Sequence, residues 1–125
     1  MMNAMIIKEN PDETTKIFYV EFEGDLKMSE KIPEAPEMIN SARANHYNKF
    51  LFDVRYLNVN FSLFDSYHLM QHLDCLGLKR SDTVALVYKC KEELFKFSET
   101  VANNRGWQKL KVFCDYNEGE KWLLS

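Results

Sequence analysis

Residues 95 to 124 read FKFSETVANNRGWQKLKVFCDYNEGEKWLL, and this stretch decides the fold because it compresses a helix, a glycine stop, a strand and a closing helix into one segment. Leu94, Phe97, Ser98, Val101 and Ala102 recur at three- and four-residue spacing, which places them on one side of a 3.6-period helix. Gly106 ends it, since a left-handed position just past a helix carries no Cβ penalty in glycine. Leu110 to Asp115 is an apolar run of strand length, and Glu118 to Leu124 reads as a last helix with Trp122 and Leu123 to bury.

Working outward, Met5 to Lys8 and Ile17 to Phe22 flank the turn-like Glu9 to Glu13, which predicts an N-terminal hairpin. Phe18, Val20 and Phe22 alternate with Tyr19, Glu21 and Glu23, the period-2 signal of a strand with one buried face. Proline is tolerated in the first turn of a helix and harmful later, so the next helix is expected to begin near Pro36 and to face Met38, Ile39 and Ala42 inward. Lys49 to Leu57 is a strand, with Phe50, Phe52, Val54 and Tyr56 on one face and Leu51, Asp53 and Arg55 on the other. Ser62 reads as the N-cap of a helix from Leu63 to Leu76 stopped by Gly77, and Thr83 to Lys89 as another core strand. The order is β-β-α-β-α-β-α-β-α, whose later strands, separated by helices, are parallel. The fold class is α/β.

The chain has 125 residues, enough for one core, so residues 1–125 are read as a single domain. A net charge of −3 with interspersed signs gives no footprint for nucleic acid or an anionic membrane. No apolar run approaches the roughly 18 residues of a spanning helix, and the first residues lack the basic and apolar regions of a signal peptide, so a cytoplasmic location is expected. Cys75, Cys90 and Cys114 are odd in number and far apart, which argues against a disulfide framework or a zinc ribbon and for reduced thiols.

Several of these segments together resemble a known family. Phe52-Asp53-Val54-Arg55 closing a strand, Val84-Ala85-Leu86-Val87 as the next, Phe97 to Gly106, Val112-Phe113 and the terminal Trp122-Leu123 are similar to the small bacterial STAS-like, SpoIIAA-like domains. The resemblance runs from about residue 17 to residue 124. It implies one domain with a mostly parallel sheet, helices mainly on one face, no chemistry of its own in most members, and a role in binding proteins or small ligands. The family's phosphorylatable serine lies in an Asp-Ser-Ser-Gly-like turn. Here the corresponding region is Asn60-Phe61-Ser62-Leu63, so Ser62 is a candidate switch position whose surroundings depart from the pattern and fit an N-cap worth about 1 kcal/mol. Gly119 stands where the family usually has a small helix former, which should loosen the last helix by about 1 kcal/mol.

Three constellations could carry chemistry. Asp65, His68, His72 and Cys75 share one side of a helix and are competent metal ligands. Leu69, however, occupies the position of the glutamate base in the H-E-x-x-H motif, and one helix rarely completes a tetrahedron, so a solvated polar face is the stronger reading. Cys90, before a helix, and Cys114, at a strand end, would sit on neighbouring strand tips if sheet order follows chain order, as a redox pair or as two inert core thiols. The third is a ligand or partner surface of Asp53, Arg55, Lys89, Phe113 and Asp115, since α/β sheets bind ligands beyond the carboxyl ends of their strands. Its competitor is plain cross-strand charge pairing. Tyr19, Leu51, Val87 and Phe113 on that face predict an apolar patch left for a partner or a second copy. The four glycines form no phosphate-binding loop, and no cofactor is expected. The sequence therefore predicts a non-enzymatic interaction or regulatory module, binding another protein or itself as a homodimer. The alternatives are a domain binding a nucleotide, lipid or acidic metabolite, and a metal- or thiol-dependent enzyme.

Overall fold

An antiparallel hairpin of β1 (Ile6–Asp12) and β2 (Ile17–Leu26) opens the fold in the computed structural model, which describes residues 6–26, 35–59, 77–89 and 92–125. The turn lies later than the sequence suggests. Asp12 Oδ1 accepts from the Thr14 and Thr15 amides at 2.8 and 3.2 Å, and Lys16 takes the left-handed conformation at φ 60°. Pro11 therefore stands inside β1, where it is tolerated because β1 is an edge strand.

The sheet continues with β3 (Lys49–Val59), β4 (Thr83–Val87) and β5 (Leu110–Phe113), in the order β1-β2-β3-β4-β5. Strands β2 to β5 run parallel. Between the strands lie α1 (Ala35–Ala44) and α2 (Glu92–Asn104), and α3 (Tyr116–Leu124) closes the chain. The predicted helix from Leu63 to Leu76 and its Ser62 cap lie outside the described residues.

Alternation along the strands sorts the apolar residues into two layers. Phe18, Val20, Phe22, Phe50, Phe52, Val84, Leu86 and Val112 pack with Met38, Ile39 and Ala42 of α1 and with Val101 and Ala102 of α2. Ile17, Leu51, Ala85, Val87 and Phe113 form the opposite layer with Leu123 of α3. From Val84 to Val87 strand β4 is buried on both sides, which is why it reads as the unbroken apolar run Val-Ala-Leu-Val. Two described helices thus share one face, and α3 packs over β3, β4 and β5 on the other. The apolar patch expected to await a partner is covered by the chain itself: Leu51 and Val87 are 0% exposed and Phe113 is 8% exposed.

Gly119 explains how α3 sits so close. A Cβ there would stand 3.3 Å from Phe113 Cδ2 and 3.4 Å from Val87 Cγ2, so the glycine that costs helix propensity allows close approach. Asp115 caps α3, its side chain accepting from the Glu118 amide at 3.1 Å, so the helix begins before the expected Glu118.

Helices α1 and α2 end alike. In α2 the Gly106 amide donates to the Asn103 carbonyl and the Trp107 amide to the Ala102 carbonyl, the paired bonds of a Schellman stop, with Gly106 at φ 92°. In α1 the same bonds run from His46 to Arg43 and from Tyr47 to Ala42, but the left-handed position at φ 71° is held by His46. Arg80 closes the end of α2, its Nε donating to the Arg105 carbonyl at 2.9 Å and its guanidinium lying 5.0 Å from the Trp107 ring. The outer edge of β5 is blunted by the Glu99 carboxylate, which accepts from the Val112 amide at 3.1 Å.

Candidate functional site

The distinctive polar geometry lies where α3 meets β2 and β3. From Glu21 to Glu23 on β2 the register moves on from Asp53 to Tyr56 on β3, a bulge that gives β3 one extra residue. The bulge frees a backbone amide and re-aims side chains. Asp53 takes up both consequences. It is 3% exposed, and its Oδ1 accepts from the Arg55 backbone amide at 3.1 Å and from Arg55 Nε at 2.9 Å, while Oδ2 accepts from Nη2 at 2.8 Å. Such bidentate, charge-assisted bonds are the strong ones, and they raise the Arg55 pKa, with these hydrogen bonds as the main cause.

The bulge also resets the period-2 alternation. Tyr56, expected on the Phe50 face, stands opposite Glu23, and its ring lies 5.2 Å from the Arg55 guanidinium. Tyr116, in the first turn of α3, lies 5.3 Å from the same guanidinium. Tyr116 in turn stacks on Tyr19, with centroids 6.4 Å apart and planes at 17°, and the Tyr19 hydroxyl donates to Glu120 at 2.7 Å. Burial, helped by the bond to Glu120, pushes the Tyr19 phenol up to about 12. The Tyr116 phenol is raised as well, first by burial and then by the charges of Glu120 and Asp53.

Beside this cluster is a cleft of about 100 Å³, walled by Lys8, Asn10, Tyr19, Glu21, Asp53 and Tyr116. It lies over the β1–β3 side of the sheet, next to α3. Lys8 turns along the hairpin to Glu23, 3.2 Å away, although Glu21 is its partner in register.

Of the surface expected from the sequence, Asp53 and Arg55 are together in this site. Lys89 is exposed just past β4. Phe113 packs in the layer beneath α3, and Asp115 is bound as its helix cap. Ser62 and the set Asp65, His68, His72 and Cys75 lie outside the described residues, among which no group of three or more His, Cys, Asp or Glu side chains could hold a metal ion. Cys90 lies outside them too. Cys114 is exposed and disulfide-bonded to a partner outside the described residues, contrary to the reduced, inward thiol expected. Tyr19 stands on the face where the sequence places it, whereas Tyr116 and Tyr56 are site members that the sequence does not single out. The only signal for the last is the bulge, and a strictly alternating strand does not reveal it.

No protein-family model and no curated protein matches the chain. Solved structures do. An anti-sigma factor antagonist from Mycobacterium paratuberculosis superposes with a TM-score of 0.64 at 8% identity, over 98% of this chain and 96% of that one. An uncharacterized protein of the DUF3478 family with a SpoIIAA-like fold, from Shewanella loihica, gives a TM-score of 0.55 at 21% identity, over 95% and 93% of the two chains.

Proposed function

Taking as premise that the chain has the SpoIIAA-like fold of STAS-type domains, we propose that it is a non-enzymatic protein-interaction module. It docks another protein on the sheet face beside α3. The observation that carries this reading is the aromatic rim around the buried Asp53–Arg55 pair. Tyr56 is 54% exposed beside the Arg55 guanidinium, Tyr116 is half-buried beside the same guanidinium, and Tyr19 is half-buried against Tyr116. Tyrosine and arginine dominate the residues that anchor protein interfaces, and a rim held by stacking and bidentate bonds loses little side-chain freedom on binding. One of the similar structures is an anti-sigma factor antagonist, a protein whose name describes action on another protein. The same mode of working is proposed here, in a bacterial cytoplasm.

At this face the size of the cleft favours a protein over a nucleotide- or drug-sized ligand. Pockets for nucleotide- or drug-sized ligands enclose about 300–1,000 Å³, and this cleft has about 100 Å³. A photo-crosslinking residue at Tyr56, with a control at Thr100 on the exposed side of α2, tests the proposal. We expect one discrete partner captured from Tyr56, absent from the Thr100 control and lost on Arg55→Glu in a chain that keeps its circular dichroism. Equal capture at both positions overturns it. Capture of a second copy of the chain, with a dimer in sedimentation, replaces the heterologous partner by self-association.

A further inference from the structure

We infer that the cleft beside α3 is a receptor for one organic cation, the guanidinium or ammonium head of a basic side chain on the docking partner. The inference rests on the docking face proposed above and names the chemistry that its cleft selects. Glu21, Asp53 and Lys8 line the cleft, and Glu23, Glu120 and Arg55 are bonded to residues of its wall, so carboxylates outnumber cations there. Both cations are committed, Lys8 to Glu23 at 3.2 Å and Arg55 to Asp53 at 2.8 Å. Glu120 holds the Tyr19 hydroxyl. Glu21, half-buried in the cleft wall, has no hydrogen-bond or ion-pair partner among the described residues.

Two stacked tyrosines form another wall, and an aromatic face attracts a cation through its quadrupole, most strongly where water is partly excluded. The rim already accepts one guanidinium, since Arg55 lies 5.3 Å from Tyr116 and 5.2 Å from Tyr56. Size points the same way. A cavity of about 150 Å³ takes benzene, so a cleft of about 100 Å³ suits a smaller head group. An anion would meet the uncompensated Glu21, and a neutral apolar group would leave that carboxylate desolvated and unpaired.

The test titrates the full chain with butylguanidinium, with tetramethylammonium and with neutral butylurea at constant ionic strength, following backbone amide shifts by NMR. Butylguanidinium is expected to move the amides of Tyr19, Glu21, Asp53 and Tyr116 selectively, and butylurea to leave them in place. Glu21→Gln should weaken binding about threefold, and Lys8→Gln, which removes a competing cation from the wall, should tighten it about threefold. A gain of binding in Lys8→Gln cannot come from misfolding. Equal shifts from butylurea, shifts scattered over acidic surface, or both variants changing affinity in the same direction overturn the inference. Tighter binding of tetramethylammonium than of butylguanidinium overturns the side-chain source in favour of a free quaternary amine. Crosslinking at Tyr56 without any cation response removes the cation site and leaves the docking face, whereas a cation response without crosslinking does the reverse.

Discussion

Removing Arg55 should harm the protein more than removing Asp53, although the two residues share the same bonds. The asymmetry follows from exposure: the Asp53 side chain is 5% exposed and the Arg55 side chain 30%. In Arg55→Ala the carboxylate stays under α3, almost wholly buried and without the guanidinium that pairs with it. Breaking a buried pair this way costs about 3–5 kcal/mol, and partial access at the Arg55 end places the expected loss near the lower figure. In Asp53→Ala the guanidinium swings toward solvent, and the Arg55 backbone amide loses its acceptor, a loss of about 1–2 kcal/mol. The double variant should fall near Asp53→Ala rather than at the sum, because no buried charge is left behind. Urea unfolding followed by fluorescence of Trp107 and Trp122 reads all of this. With a slope near 2 kcal/mol/M, Arg55→Ala should lower the midpoint by roughly 1.5 M and Asp53→Ala by roughly half of that. A larger loss in Asp53→Ala, or a double variant as unstable as the sum of the singles, would mean that Asp53 is not left as an uncompensated buried charge.

Further outcomes can be read from single substitutions or conditions. His46→Gly should raise stability by about 1 kcal/mol in thermal unfolding, because the left-handed position at φ 71° that ends α1 penalises a Cβ. Stability should also fall between pH 10 and about 12. The Tyr19 phenol is raised from 10.0 to about 12 in the fold, so its contribution is complete below the free value and is lost as the pH rises through the folded one. Tyr19→Phe should remove that part of the loss, on the order of 2 kcal/mol, and an unchanged alkaline profile would contradict the buried, Glu120-bonded hydroxyl. Intact mass under non-reducing conditions should be lower by two hydrogens than after reduction, reporting the Cys114 disulfide.

What the sequence revealed follows the reach of each signal. Period-2 alternation placed Phe18, Val20 and Phe22 against Tyr19 and Glu21 correctly, because one buried face fixes strand parity. Gly106 marked the end of α2, since its left-handed stop favours glycine. His46 performs the same task at the end of α1 and gave no sign, because histidine occupies such positions only when the surrounding bonds demand it. The bulge at Arg55 is equally silent: one extra residue changes the face of Tyr56 without altering the apolar pattern. Glycine at position 119 and an apolar sheet face were both visible. That the former lets α3 cover the latter is a tertiary fact, and so the expected partner patch was placed under the chain's own helix. Of the site, Asp53 and Arg55 were legible as charges on an apolar strand. Tyr19 was legible by parity on the same face, and Tyr116 joins them only through the packing of α3.

The most direct measurement of the docking face is amide hydrogen exchange of the chain alone and bound to the protein captured at Tyr56. Docking on this face adds protection in β1, in β2 from Tyr19 to Glu23, at Asp53 to Tyr56 and in the first turn of α3, with α1 and α2 unchanged. Protection confined to α1 and α2, with the cleft residues exchanging as in the free chain, would contradict it.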